Sequence, residues 1–279
     1  MPDLDTPILA DALVASGARV DVADWRDAAV DWSNATVTMV RSPWDYVHHL
    51  DEFLDWAARV NAASDLWNPY ELLRWNTHKS YLLDLQARGA PIVPTVVLLA
   101  GSAASLDAIC DAQGWSSVVV KPAIASGSDG ARRGEVGDVT LQEHLDVLLT
   151  TADVLVQPFV AAIEREGEMS AVLFDGRFSH ALCKQPEAGD YRVQEHHGGT
   201  TALVDPTPGL VELAERVAGV LPTATLYARI DLVSFRDRWH VIEAEVTEPS
   251  LWLDLAPAGA TRRLADGLLS RVASAAARG

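Results

Sequence analysis

The pair Asp175-Gly176 separates EMSAVLFD from RFSHALCKQ. A turn dipeptide of that kind between two β-prone runs fixes an antiparallel hairpin. A second hairpin is predicted for ARIDLVSF and WHVIEAEV, turning across Arg236-Asp237-Arg238. Before residue 167 the pattern is different, because helical and extended segments alternate there. DTPILADALVASGA reads as an amphipathic helix stopped by Gly17, followed by strands RVDVADW and ATVTMVRS and a helix over DYVHHLDEFLDWAARV. A short helix, NPYELLRW, leads to NTHKSYLLDLQARGA, capped by Asn76 or Thr77 and stopped by Gly89. Strand IVPTVVLL, helix SLDAICDAQ, strand SVVVKP, a Gly/Ser loop, helix TLQEHLDVLL and strand DVLVQPFV complete a mixed unit, and PTPGLVELAERVAGVL adds a helix between the two hairpins.

The second hairpin carries the densest chemistry. Glu243 and Glu245 are two residues apart on a strand, so both face one side with Cα atoms about 6.5 Å apart. A three-residue turn centred on Asp237 sets Asp231 opposite Glu243. Three converging carboxylates repel one another and resist desolvation unless a cation sits among them, and magnesium, a hard ion taking a few carboxylates plus water and phosphate oxygens, fits best. The plainer alternative is a polar stripe on the solvent face of an antiparallel sheet.

Lysine is scarce, with three against nineteen arginines, and Lys79, Lys121 and Lys184 all fall in segments able to hold phosphate. Lys121 precedes AIASGSDGARR, whose Ser126, Gly127, Ser128 and Gly130 offer hydroxyl and amide donors over a phosphate. The spacing is neither GxxxxGK[ST] nor GxGxxG, which excludes a P-loop or a dinucleotide fingerprint. A net charge of −17 without a basic run excludes a general nucleic-acid or anionic-membrane surface, so an anionic ligand needs a local pocket built from these lysines with Arg132 and Arg133. No segment has the length of a membrane span or a signal peptide. Cys110 and Cys183 form no metal-binding pattern and are expected as buried thiols in a cytoplasmic protein.

Taken in order, NTHK, VVVKPAIASGSDGARR, VLVQPFV, EGEMSAVLFDGRFSHALCKQP, YARIDLV and VIEAEVTEPS resemble the ATP-grasp superfamily, in its glutathione-synthetase-like and D-alanine-ligase-like branches. The resemblance implies an α/β and α+β chain of three subdomains: a substrate-side unit at 1–74, a small lobe at 75–157, and a C-terminal lobe at 158–279 carrying the metal site. The first unit opens on a helix where a doubly wound domain opens on a strand, so a leading strand is expected to be missing. ATP and Mg2+ are the implied cofactors.

By that resemblance Lys79, Lys121 and Lys184 meet the phosphates, with Ser126, Gly127 and Ser128 closing over them. Gln157, Pro158, Phe159 and Val160 form the adenine-side hinge, and Glu168, with Glu164 as second candidate, holds the ribose. Asp231, Glu243 and Glu245 are the metal ligands, although the family usually has Asn where Glu245 stands. Arg229 stabilises the oxyanion as an acyl phosphate is attacked, and Arg192 lies near the transferred phosphate.

The substrate contacts are expected from Arg41, Trp44, Asp45 and Tyr46 of RSPWDY, from His197 of the EHHGG loop and from Ser250. Asp45 as a helix cap, and His196 and His197 as solvated residues, are the plainer alternatives. Trp25, Trp32, Trp56, Trp67, Trp75 and Trp115 are read as packing anchors. The partner is a small-molecule carboxylate, while monomer and homo-oligomer both stay open. The chemistry implied is carboxylate activation by ATP followed by attack of a nitrogen. Within the superfamily the chain is similar to ligases of actinobacterial antibiotic pathways, those closing O-ureido-D-serine to D-cycloserine above all. An intermolecular carboxylate–amine ligase and a silent nucleotide binder are the other readings.

Overall fold

The computed structural model describes residues 3–277, the side chain of His196 excepted. Helix α1 (Asp5–Ala15) is stopped at Gly17, as the sequence predicts. Strand β1 (Val37–Met39), helix α2 (Leu50–Ala63) and strand β2 (Asp65–Trp67) form a small parallel unit. The strand expected over RVDVADW is not formed. Arg19, Asp21 and Val22 are exposed, and an alternating segment without a neighbouring strand has no ladder to join. The helix expected from Asp45 is broken at His49 (φ −139°) into a 3-10 turn, Trp44–His48, and α2, so Asp45 caps nothing.

Helices α3 (Tyr70–Asn76) and α4 (Tyr81–Ala87) follow, and Asn76 ends α3 instead of capping α4. Its amide Nδ2 donates to the Ala244 carbonyl at 2.7 Å and its Oδ1 accepts from the Val246 amide at 2.9 Å. One side chain thereby does the work of a neighbouring strand.

The second sheet has the order β3-β6-β4-β5, all antiparallel, from β3 (Val96–Leu98), β4 (Ser117–Pro122), β5 (Arg132–Glu135) and β6 (Val154–Pro158). Helices α5 (Leu106–Gln113) and α6 (Val139–Leu149) cover it through Leu106, Leu141, Leu145 and Leu149, packed on Val118, Val120 and Val156. Each such fully buried side chain contributes about 1.5–3 kcal/mol. Strand β5 was not foreseen. Gly130 (φ +68°), beside it, would drive a Cβ to 2.9 Å from the Pro122 ring.

Helix α7 (Ile163–Glu166) leads into the third sheet, whose order is β11-β10-β7-β8-β9, again antiparallel: β7 (Glu168–Phe174), β8 (Arg177–Gln185), β9 (Thr200–Val204), β10 (Tyr227–Phe235) and β11 (Arg238–Glu245). Alternation divides its strands between two faces. Ala228, Ile230 and Leu232 pack on Leu210, Leu213 and Val217 of helix α8 (Pro208–Gly219), while Val172, Phe174 and Tyr227 pack with helix α9 (Ala260–Ala276) and α1. Arg229 and Asp231 therefore face away from α8. The segment leading into β3 meets the third sheet, where the Val93 amide donates to the Val241 carbonyl and the Val241 amide to the Pro91 carbonyl, both at 2.9 Å. Among the described residues no helix is long and apolar enough to cross a membrane.

The N-terminal unit is fastened to the segment after β11 by a buried ion pair. Asp5 accepts from Arg41 Nη2 at 3.1 Å and from the amides of Leu251 and Leu253 at 2.6 and 2.8 Å, and Arg41 Nη2 also donates to the Pro249 carbonyl at 3.0 Å. Asp5→Ala leaves a buried guanidinium without its carboxylate and two amides without an acceptor, which costs about 3–5 kcal/mol. Urea unfolding checks this, and a midpoint shift worth under about 1 kcal/mol would show that the clamp is not structural.

Candidate active site

The two hairpins place the acids and bases opposite one another. The β10–β11 turn has two residues, Arg236 and Asp237, both with φ above +50°, and not the predicted three. Phe235 consequently pairs with Arg238, a register that would not align Asp231 with Glu243. A bulge between Asp231 and Leu232 shifts the ladder by one and restores the Asp231–Glu243 pairing. The first hairpin is bulged likewise between Val172 and Leu173, and it sets Glu168 opposite Lys184.

One cavity of ≈ 360 Å³ opens between the second and third sheets, and all three lysines of the chain line it. Lys79 Nζ lies 2.9 Å from Glu243 Oε1 and donates to the Ala125 carbonyl at 2.6 Å. Lys184 bridges Glu168 and, at 3.3 Å, Asp231. Arg229 clasps Asp231 through Nε and Nη2 at 3.0 and 2.9 Å, also pairs with Glu245, and lies 5.1 Å from the Trp252 ring centre. Lys121 faces the same space, yet among the described residues no carboxylate lies within ion-pair distance of it.

The electrostatics follow from burial. Desolvation lowers the Lys121 ammonium, with Glu243 opposing the effect. Burial also works against the charge of Lys184, yet Asp231 and Glu168 hold it protonated above the ordinary lysine range. Burial resists ionisation of Asp231, but Arg229 and Lys184 overcome it and hold the carboxyl down to about 2. Glu245 fares differently. Burial first, and then Glu243 and Asp231 against the opposing Arg229, push it up to about 8. Five cationic side chains, counting Arg192, thus face seven carboxylates in the cavity, counting Glu248 and the exposed Asp129 and Glu195.

Oxygens of Asp231, Glu243 and Glu245 come within 4.8 Å of one another. Three hard oxygen donors on one face, whose mutual repulsion a cation would relieve, fit a divalent magnesium ion.

Ser126, Gly127, Ser128, Gln157, Pro158, Phe159, Val160, Arg192 and Ser250 line the same cavity, as do Trp44 and Tyr46. Other expected contacts lie elsewhere. Arg41 is committed to Asp5 and Pro249, so the carboxylate it meets is the protein's own. Asp45, half exposed, accepts from Trp25 Nε1 at 3.0 Å. Glu164 pairs with Arg133 at 2.7 Å, and that guanidinium covers the Phe159 ring at 3.5 Å; neither Glu164 nor Arg133 is among the residues lining the cavity. Arg132 is exposed on β5, and His197 is not among the lining residues. Cys110 is buried and Cys183 only half-buried; neither is in a disulfide.

Sequence reasoning missed Glu248 and Trp252. Both line the cavity from the segment beyond β11, where no strand period marks which way a side chain points. His180 holds that segment from the other side, with Nε2 at 2.8 Å from the Leu251 carbonyl and Nδ1 at 2.9 Å from Ser179 Oγ. Burial lowers its pKa, so the unfolded chain binds the proton first and stability falls as pH drops below about 6.5. A smaller loss of Tm between pH 7 and 5.5 in His180→Gln than in the wild type is the expected signature, and parallel curves would contradict it.

Comparison with known proteins identifies the family. Residues 87–255 match the ATP-grasp domain of prokaryotic glutathione synthetase. The chain belongs to the ATP-grasp ligase family. Residues 1–68 match the N-terminal domain of D-cycloserine synthetase DcsG. The cycloserine biosynthesis protein DcsG of Streptomyces lavendulae is 33% identical over 274 residues, covering 93% of this chain and 91% of that protein. The crystal structure of D-cycloserine synthetase DcsG superposes with a TM-score of 0.88 at 31% identity, over 97% of this chain and 95% of that one. D-alanine–D-alanine ligase from Bacillus anthracis, complexed with ATP, shares the fold at a TM-score of 0.69 and 11% identity, over 100% and 97% of the two chains.

Proposed function

We propose that this ATP-grasp ligase closes O-ureido-D-serine to D-cycloserine. The observation that carries the reading is the 33% identity to the cycloserine protein across both the nucleotide-gripping lobes and the N-terminal unit. An oxygen of the substrate carboxylate attacks the γ-phosphorus of ATP and ADP leaves. The oxyamine nitrogen of the same molecule then displaces phosphate from the acyl carbon. Water removes the carbamoyl group as carbon dioxide and ammonia, which completes the atom balance.

Asp231, Glu243 and Glu245 would hold magnesium, which supplies Lewis-acid polarisation of phosphate oxygens. Lys121, half-buried and without a carboxylate partner among the described residues, is the residue best disposed to meet an incoming phosphate. Lys79 and Lys184 are shared between protein acids and phosphate, and their ion pairs keep the site charge-balanced before ATP arrives. Glu168 reaches a ribose only once Lys184 turns to phosphate. The Gln157–Val160 segment lies at the adenine side, its Gln157 side chain fixed by a 2.9 Å bond to Thr95 Oγ1. Arg229, locked by Asp231, Glu245 and Trp252, is a fixed donor for the oxyanion formed as nitrogen attacks, and such preorganised charge is where catalysis of this kind draws most of its rate. With ATP as co-substrate, the reading places the chain in the cytoplasm.

Magnesium-dependent ADP release is the test. ADP formed with O-ureido-D-serine alone, together with a product of D-cycloserine mass, is expected. ADP formed only when a second amine is added would make the chain an intermolecular ligase instead.

A further inference from the structure

The carboxylate of Glu248 is the one buried acid of the cavity, among the described residues, that neither pairs with a base nor belongs to the metal-binding trio; Asp129 and Glu195, at the rim, are exposed. Its side chain has a phenol partner, the Tyr46 hydroxyl, and no cation lies within 4.0 Å of it. It is only 8% exposed and lines the cavity. The backbone cannot carry it out to water. Trp44 Nε1 donates to the Glu248 carbonyl at 3.1 Å, Arg41 holds the Pro249 carbonyl, Asp5 holds the Leu251 amide, and Thr247 Oγ1 donates to Asn76 at 3.1 Å. A buried carboxylate pinned in place and facing a cavity is a standing demand for a positive group. The base of the cavity nearest it in charge, Lys79, is engaged by Glu243 and Ala125.

The walls select the kind of cation. Trp44, Tyr46 and Trp252 all line the cavity, and aromatic faces beside a carboxylate suit a small organic ammonium. A metal ion is better served by the neighbouring trio, whose oxygens already converge and from which Glu248 stands apart. We infer that Glu248, backed by Tyr46, receives the α-ammonium of an amino-acid substrate whose carboxylate is activated at Arg229 and Lys184. The inference rests on the ligase reading above and deepens it. In an α-amino acid the ammonium is one carbon from the carboxylate, so its receptor must border the face where phosphate is transferred, and Glu248, three residues past Glu245, does. The ion pair also keeps the α-nitrogen protonated. A protonated nitrogen has no lone pair for attack, so the acyl phosphate is left to the second nitrogen of the molecule.

The test compares wild type, Glu248→Gln and Tyr46→Phe with O-ureido-D-serine and with 3-(ureidooxy)propanoate, the same molecule without its amino group. For the parent substrate Glu248→Gln is expected to lower kcat/KM by about 100-fold, chiefly through KM, while KM for ATP and the magnesium dependence stay at wild-type values. For the des-amino compound the variant and wild type should be equal. Tyr46→Phe should show the same selectivity with a smaller loss. Equal losses on both compounds would make Glu248 merely structural, and a shifted magnesium dependence would make it a metal ligand; either overturns the inference. Failure of the ligase reading is distinguishable, since wild type would then release no ADP with O-ureido-D-serine. The same comparison would be run on amino acids and their des-amino counterparts, with binding read by calorimetry in the presence of magnesium and a non-hydrolysable ATP analogue. No loss of discrimination in Glu248→Gln there would equally overturn the assignment.

Discussion

Glu243→Gln is expected to reduce turnover by at least about 1,000-fold while the protein stays folded. The amide keeps the volume, but it removes the anionic oxygen that sits centrally among the site's charges: it belongs to the converging trio, pairs with Lys79 at 2.9 Å, and is the main acid acting on Lys121. A change at a residue that only supports a metal ligand costs about 10- to 100-fold, so loss of a ligand should exceed that range. Burial penalises the charge of Glu243, and Lys79 and Lys121 reverse the penalty, holding it ionised. Neutralising it leaves those two ammoniums short of a counter-charge, so ATP is expected to bind while transfer fails. Circular dichroism and magnesium titration of ADP release check this. A wild-type rate at saturating magnesium would remove Glu243 from the metal site.

Arg229→Met is expected to act on rate and stability together. The guanidinium is buried between Asp231 and Glu245, and its loss leaves two carboxylates facing each other with Lys184 as the remaining close base. Removing one partner of a buried pair costs about 3–5 kcal/mol. Losing a fixed oxyanion donor costs about 100- to 1,000-fold in kcat. The two effects separate in Arg229→Lys, which keeps the charge but not the planar fork. Most of the stability should return there, with little of the rate. Full recovery of kcat in Arg229→Lys would mean that charge alone suffices and that the locked geometry contributes nothing.

What the sequence made legible was the arrangement that strand period dictates. Glu243 and Glu245 share a face because they are two apart, and Asp175-Gly176 turns because both residues accept positive φ. The alignment of Asp231 with Glu243 came out as expected for a reason the sequence does not display: a tighter turn offset by a bulge. Strands β5 and β9 were missed because they are short edge strands, RRGE and TTALV, without a hydrophobic alternation to announce them. Arg41 was read toward a ligand because its partner, Asp5, lies on a helix 36 residues away, a pairing no local pattern encodes. Glu248 was hidden for the opposite reason: it is close in sequence to the metal-face acids but beyond the strand, where direction is set by bonds from Trp44, Arg41 and Asp5.

The account turns on activation of a carboxylate as an acyl phosphate, and the fate of the carboxylate oxygens tests that directly. O-Ureido-D-serine carrying 18O in both carboxylate oxygens would be turned over with magnesium and unlabelled ATP. One 18O in the released inorganic phosphate per ring closed, and one retained in the ring carbonyl, is the predicted result. Unlabelled phosphate alongside cyclised product would contradict the mechanism, because the carboxylate oxygen would then never have been bonded to phosphorus.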